Sequence, residues 1–167
     1  MKKLLICRHA KSSWDDAEVR DHNRTLANRG LKDAEVMAGR IKTSHVIPEK
    51  ILTSDALRAK MTASFYLKIF EKHQVSYEET NELYLCTTKS LLSEIRKTSD
   101  NIDTLFVFGH NPGMTDLVNY LGESLENLPT AAVFGFKFEV KNWTAINSEN
   151  GIFWFYDSPK KPFIKNP

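Results

Sequence analysis

The sequence predicts an α/β fold, a three-layer α/β/α sandwich whose central sheet is mostly parallel with an antiparallel edge. Three observations carry that expectation. Residues 2–7 (KKLLIC) and 104–108 (TLFVF) are apolar runs of strand length without polar alternation, as strands covered on both faces are. Such runs alternate with amphipathic helical segments, the order that builds parallel sheets. From Ala131 onward the pattern changes to Val133, Phe134, Phe136, Phe138 and Val140, whose alternation reads as antiparallel pairing at one edge.

Taken in order, the strand at 2–7 leads to a helix over 28–43, where Leu31, Ala34, Met37, Ala38 and Ile41 recur at three- and four-residue spacing. Asn28 is its candidate N-cap, and Gly30 falls in its first turn. Residues 50–54 (KILTS) form a second strand. A second helix over 56–72 traces its rows through Leu57, Met61, Ala63 or Ser64, and Leu67 or Lys68. A short strand over 75–79, a helix over 90–97 and the strand 104–108 follow. Asn111-Pro112-Gly113 marks a loop before a helix over 115–121. An antiparallel pair, from 131 and over 152–156, closes the sheet, and the proline- and lysine-rich SPKKPFIKNP is expected to trail over the surface.

With 167 residues, 41% apolar and 26% charged, the chain reads as one domain, residues 1–167, able to bury its own core. Its 23 basic and 21 acidic residues are spread along the chain for a net charge of +2, which argues against nucleic acid or an anionic membrane as partner. Any anion site is therefore local. No apolar run approaches the ~20 residues of a membrane span and no secretory segment precedes the cysteines, so a cytoplasmic location with reduced thiols is expected. Cys7 and Cys86 lack a C-x-x-C spacing and read as small hydrophobes rather than zinc ligands. No cofactor is called for.

In open α/β sheets the polar side chains just past the carboxyl ends of strands point into the functional crevice. Arg8 and His9 follow the first strand, Ser54, Asp55 and Arg58 the second, and His110 the strand 104–108. Two arginines and two histidines make a small positive pocket, and guanidinium groups match a tetrahedral oxyanion in geometry as well as charge. Phosphate is the natural occupant. A histidine there can serve as nucleophile, splitting one hard displacement into two easier ones, with the remaining cations stabilising the equatorial oxygens. Taken singly, each residue has a plainer use: Cys7 as strand core, Trp14 as a core anchor, Arg58 in a surface ion pair, either histidine simply solvated. The combination is what packing does not explain.

RHAKSSWDD (8–16), TSDALRAKMTA (53–63) and FGHNPG (108–113) resemble, in order and placement, the signature segments of the histidine phosphatase superfamily, also called phosphoglycerate mutase-like. Within it the chain resembles the compact SixA-type phosphohistidine phosphatases, through RDHNRTLANRGLKDA (20–34), the late LPT, Trp143 and Pro159-Lys160. The resemblance implies that His9 becomes phosphorylated and that Arg8, Arg58 and His110 complete the phosphate pocket, with Ser12 and Asp15 on the substrate-binding side. Three departures stand out. Ala10 replaces the usual Gly after the Arg-His pair, Arg24-Thr25-Leu26 replaces Arg-Pro-Leu, and Asp15 stands where mutase-like members often have Asn. Asp15 and Glu82 are then the two candidates for general acid.

The short stretch between Arg58 and His110 leaves little room for a capping insertion, so an open site is expected, suited to a phosphorylated side chain on another protein. A phosphohistidine phosphatase acting on a phosphorelay protein is the first reading. The alternatives are a phosphatase for a small phosphorylated metabolite and a non-catalytic module that binds phosphoproteins. A metal hydrolase drawing on His9, Asp15, Asp16, Asp21, His22 and His110 is weaker, since two arginines repel a cation at that spot.

Overall fold

A computed structural model describes residues 1–165. Seven strands form one sheet: β1 (Lys2–Arg8), β2 (Lys50–Ser54), β3 (Ser76–Thr80), β4 (Thr104–Gly109), β5 (Val133–Phe138), β6 (Ile152–Ser158) and β7 (Lys161–Lys165). The helices are α1 (Asn28–Thr43), α2 (Leu57–Ile69), α3 (Thr88–Arg96) and α4 (Gly113–Tyr120). In the sheet the order is β3-β2-β4-β1-β5-β6-β7. The first four run parallel, and β5, β6 and β7 add on antiparallel beside β1.

Alternate residues of the central strands feed two cores. Leu4, Ile6, Leu105 and Val107 point to the side where α3 and α4 bring Leu91, Ile95, Leu117 and Val118. Leu5, Cys7, Phe106 and Phe108 point to the other, against Met37, Ala38 and Ile41 of α1 and Ala63 and Tyr66 of α2. Both faces are covered, which is why these strands carry no polar alternation. Each fully buried Leu, Ile or Phe contributes about 1.5–3 kcal/mol relative to exposure. The α/β/α layering expected from the sequence is the layering observed.

Several local expectations are corrected. Helix α1 spans the expected residues, but Ala27 is its N-cap position and no side chain caps it. On α2 the buried residues are Arg58, Ala59, Thr62, Ala63 and Tyr66, a face rotated from the expected rows because two of its members are polar. The antiparallel edge has three strands instead of two: the segment expected to trail over the surface turns at Ser158 and pairs with β6 as β7. Proline and lysine are depleted from strands in general yet suit an edge strand, where ladder hydrogen bonds are needed on one side only. Residues 166–167 of that segment lie outside the described residues. Trp14 is no core anchor. It is 66% exposed, with the Arg24 guanidinium stacked 3.4 Å from its ring centre.

Candidate active site

The register of the parallel strands brings the two histidines together. Arg8 of β1 lies opposite Gly109 of β4, so the next residues, His9 and His110, leave adjacent strand ends with their rings 4.9 Å apart. On the other side of β4, Thr53 pairs with Phe108, which sets Ser54 beside His110. The His110 Nε2 to Ser54 Oγ distance is 2.9 Å. Arg58 arrives from the first turn of α2 and is buried. Thr62, one turn on, ties that helix to the first strand end: its Oγ1 donates to the Arg58 carbonyl (2.7 Å) and accepts from the Ala10 N–H (3.0 Å).

Two hydrogen bonds fix the state of His9. Its Nδ1 is 2.7 Å from the Ala10 carbonyl, which can only accept, so Nδ1 carries the proton. Its Nε2 faces Arg58 Nε at 3.2 Å, which can only donate, so Nε2 presents a lone pair. Burial pushes the imidazole pKa down to about 4; the Ala10 hydrogen bond works against this, and the charges of Arg58 and Arg8 add to it. His9 is neutral at neutral pH, and its Nε2 lone pair, now accepting from Arg58, would be free to attack once Arg58 Nε turned to an oxyanion.

His110 is depressed to about 3, first by burial and then by His9 and Arg58. Ser54 Oγ already accepts from the Ala56 N–H at 3.2 Å, so its own proton is available to His110 Nε2, and Nδ1 is then the protonated nitrogen. That Nδ1 is buried without a partner among the described residues, as is Arg8 Nε. Arg8 Nη1 donates to the Leu128 carbonyl at 2.7 Å, and burial lowers the guanidinium pKa without discharging it. Two orphaned buried donors beside a fixed lone pair are what a tetrahedral oxyanion would satisfy.

Ser12 makes an isolated antiparallel bridge with Leu26. Asp15 is exposed, its carboxylate accepting from Ser13 Oγ at 2.8 Å. Glu82 is exposed on the short helical turn Asn81–Leu83, and its N–H donates to Thr80 Oγ1 at 3.2 Å.

Two further residues, Asp21 and Tyr84, close over the pocket. The Ser12–Leu26 bridge closes the intervening loop, and that loop lays the helical turn Asp21–Asn23 over Arg58. Arg58 Nη1 donates to the Asp21 carbonyl at 2.5 Å and Nη2 to its Oδ2 at 2.9 Å, while the Tyr84 hydroxyl donates to the same Oδ2 at 2.7 Å. Tyr84 also sets its ring edge-on to His110, with centroids 5.5 Å apart. The Tyr84 hydrogen bond, helped by Arg58, holds the Asp21 carboxyl below the usual range. Beside this, His22 Nε2 meets Asp55 Oδ1 at 2.9 Å. Asp21 lies in the RDHNR stretch, but nothing in the sequence marks it or Tyr84 as part of the pocket.

Among solved structures, the chain is similar to the protein histidine phosphatase SixA complexed with tungstate, with a TM-score of 0.78 and 25% identity over 94% of this chain and 97% of that one. It is likewise similar in fold to the putative phosphohistidine phosphatase SixA from Agrobacterium tumefaciens (TM-score 0.79, 23% identity, covering 95% and 98%). In sequence it is 29% identical over 141 residues to an uncharacterized chloroplastic protein of Arabidopsis thaliana, 77% of this chain but 63% of that protein's length. The model of the histidine phosphatase superfamily (branch 1) matches residues 4–131. All three strand ends and Arg58 fall inside that stretch, and the chain belongs to this superfamily.

Proposed function

We propose that the chain is a phosphatase that passes a phosphoryl group from its substrate to His9 Nε2 and then to water, and that the substrate is phosphohistidine on a phosphorelay protein. The observation that carries the reading is the state of His9, a neutral imidazole whose Nδ1–H is held by the Ala10 carbonyl, whose Nε2 lone pair faces Arg58 and whose ring lies 4.9 Å from that of His110. In the first step Nε2 attacks phosphorus, and the bond from phosphorus to the leaving group breaks with its electron pair going to the leaving atom. Arg8, Arg58 and His110 hold the three equatorial oxygens, where charge is greatest in the transition state. In the second step water displaces Nε2.

The choice of substrate rests on proton supply. Asp15 and Glu82 are exposed and Asp21 is held ionised, so no carboxylic acid stands ready to protonate an alkoxide. A phosphohistidine whose ring is already protonated leaves as neutral imidazole and needs none. The stretch between α2 and β4 also carries no capping insertion, only β3, the turn Asn81–Leu83 and α3. That leaves room for a protein-borne phosphate. The likeness to a SixA structure that holds tungstate, a tetrahedral oxyanion, supports the same pocket. The reading includes a cytoplasmic location, where the free thiols of Cys7 and Cys86 stay reduced. Among the described residues no helix is long and apolar enough to cross a membrane.

Phosphate release tests this, using a histidine phosphotransfer domain phosphorylated with phosphoramidate alongside a panel of alkyl phosphate monoesters. The expected result is a kcat/KM for the protein substrate at least ~100-fold above any monoester, the scale of one missing general acid, and no turnover by His9→Ala. Equal or better turnover of monoesters would favour the small-metabolite reading. Tight oxyanion binding without turnover of either would favour the phosphoprotein-binding module.

A further inference from the structure

Hydrolysis of a phosphorylated His9 needs a group that takes a proton from water; in that intermediate His9 Nε2 is bonded to phosphorus, and His110 has its Nε2 lone pair engaged by Ser54 and its Nδ1 protonated. Asp21 is the carboxylate brought to Arg58. Its Oδ2 accepts from Arg58 Nη2 and the Tyr84 hydroxyl, while Oδ1, with Arg24 Nε 4.0 Å away, keeps lone pairs for water. The side chain is 46% exposed, so solvent reaches it. The edge of the Arg58 guanidinium formed by Nε and Nη2 faces His9 Nε2 with one nitrogen and Asp21 Oδ2 with the other. A phosphoryl group forked by that edge would lie between nucleophile and carboxylate.

We propose that Asp21 is the general base for the second half of the reaction, a role that rests on the reading that His9 is the phosphorylated nucleophile. A water oxygen attacks phosphorus from the Asp21 side, and the bond from phosphorus to Nε2 breaks with its electron pair returning to Nε2. One water proton passes to the Asp21 carboxylate, inorganic phosphate leaves, and the carboxylic acid returns the proton to solvent. Arg58 fixes one carboxylate oxygen through Nη2 and the loop backbone through Nη1, and Tyr84 holds that same oxygen from the opposite element. The acid group is thereby aimed, and its Oδ1 is left for chemistry.

The test separates the two half-reactions by rapid quench, with phosphoramidate as donor, in the wild type and in Asp21→Asn, which keeps an acceptor for Arg58 and Tyr84. Formation and decay of phosphohistidine are timed separately, and tungstate affinity is measured in parallel. Decay is expected to slow ~100-fold while formation and tungstate affinity stay within about threefold. Formation and affinity falling together with decay unchanged would overturn the proposal and leave Asp21 as a positioning residue for Arg58. Unchanged decay with everything else intact would overturn it outright. Tyr84→Phe is the second variant, expected to slow decay alone and by less; an effect on formation alone would count against the proposal. A wild type that never acquires phosphate on His9 would instead sink the nucleophile reading beneath it.

Discussion

At His9 burial sets the protonation state, while two hydrogen bonds set the tautomer and leave the lone pair on Nε2. A neutral nucleophile with a pKa near 4 stays competent well below neutrality, so the acid limb of kcat/KM, which reports the free enzyme, is expected near pH 4 rather than near the ordinary histidine value of about 6.5. A limb at 6.5, measured with phosphohistidine protein between pH 4 and 8, would show that the imidazole is not held as described. Arg8, His9 and His110 are legible in the sequence because each ends an apolar run, and Arg58 because it follows the second strand in a segment resembling the family's. Asp21 and Tyr84 are not. A loop carboxylate and a tyrosine after a short turn look the same in sequence whether they are solvated or folded over a pocket, and the Ser12–Leu26 bridge that decides the matter for Asp21 is a long-range contact.

At the level of elements, strand register and helix approach do the positioning. Gly30 of α1 is required by a close approach: a Cβ there would stand 2.1 Å from the Lys11 carbonyl oxygen, a backbone atom that cannot swing aside. Lys11 is two residues past His9 and its carbonyl accepts from the Ala27 N–H, so the contact joins α1 to the first strand end. Gly30→Ala is expected to cost about 1–3 kcal/mol in a urea titration and to lower kcat/KM, whereas Gly39→Ala, with nothing within 4 Å, should stabilise or do nothing. Equal effects at both positions would contradict this. The span of helix α1 is legible because Ala34, Met37, Ala38 and Ile41 of its apolar stripe are all buried; the face of α2 is not, because Arg58 and Thr62 are buried on it. A hydrophobicity pattern cannot register a polar residue that is buried on purpose. For β7 the composition pointed to a tail, and only the free edge of β6 explains a strand there.

Across the whole molecule, the two buried histidines make stability depend on pH. The unfolded chain protonates them near 6.5, the folded chain only near 4 and 3, so protons favour unfolding as pH falls below 6.5. Each contributes up to about 1.4 kcal/mol per pH unit, His9 until about pH 4 and His110 until about pH 3. Asp157, whose burial holds its carboxyl above the usual range, works the other way. Urea midpoints taken from pH 7 to 4.5 are expected to fall steadily, and to flatten in a His9→Gln, His110→Gln double variant. An unchanged slope in that variant would assign the acid sensitivity to other groups.

The central claim is that His9 Nε2 is the atom that receives phosphate, and the most direct measurement is its covalent capture. The protein is mixed briefly with labelled phosphoramidate, quenched in alkali and digested, and the phosphohistidine is separated into its Nε2- and Nδ1-linked isomers. The account requires Nε2-linked phosphate on His9 that decays as inorganic phosphate appears. Phosphate on Nδ1, on His110, or on no residue while product is still released, would contradict it.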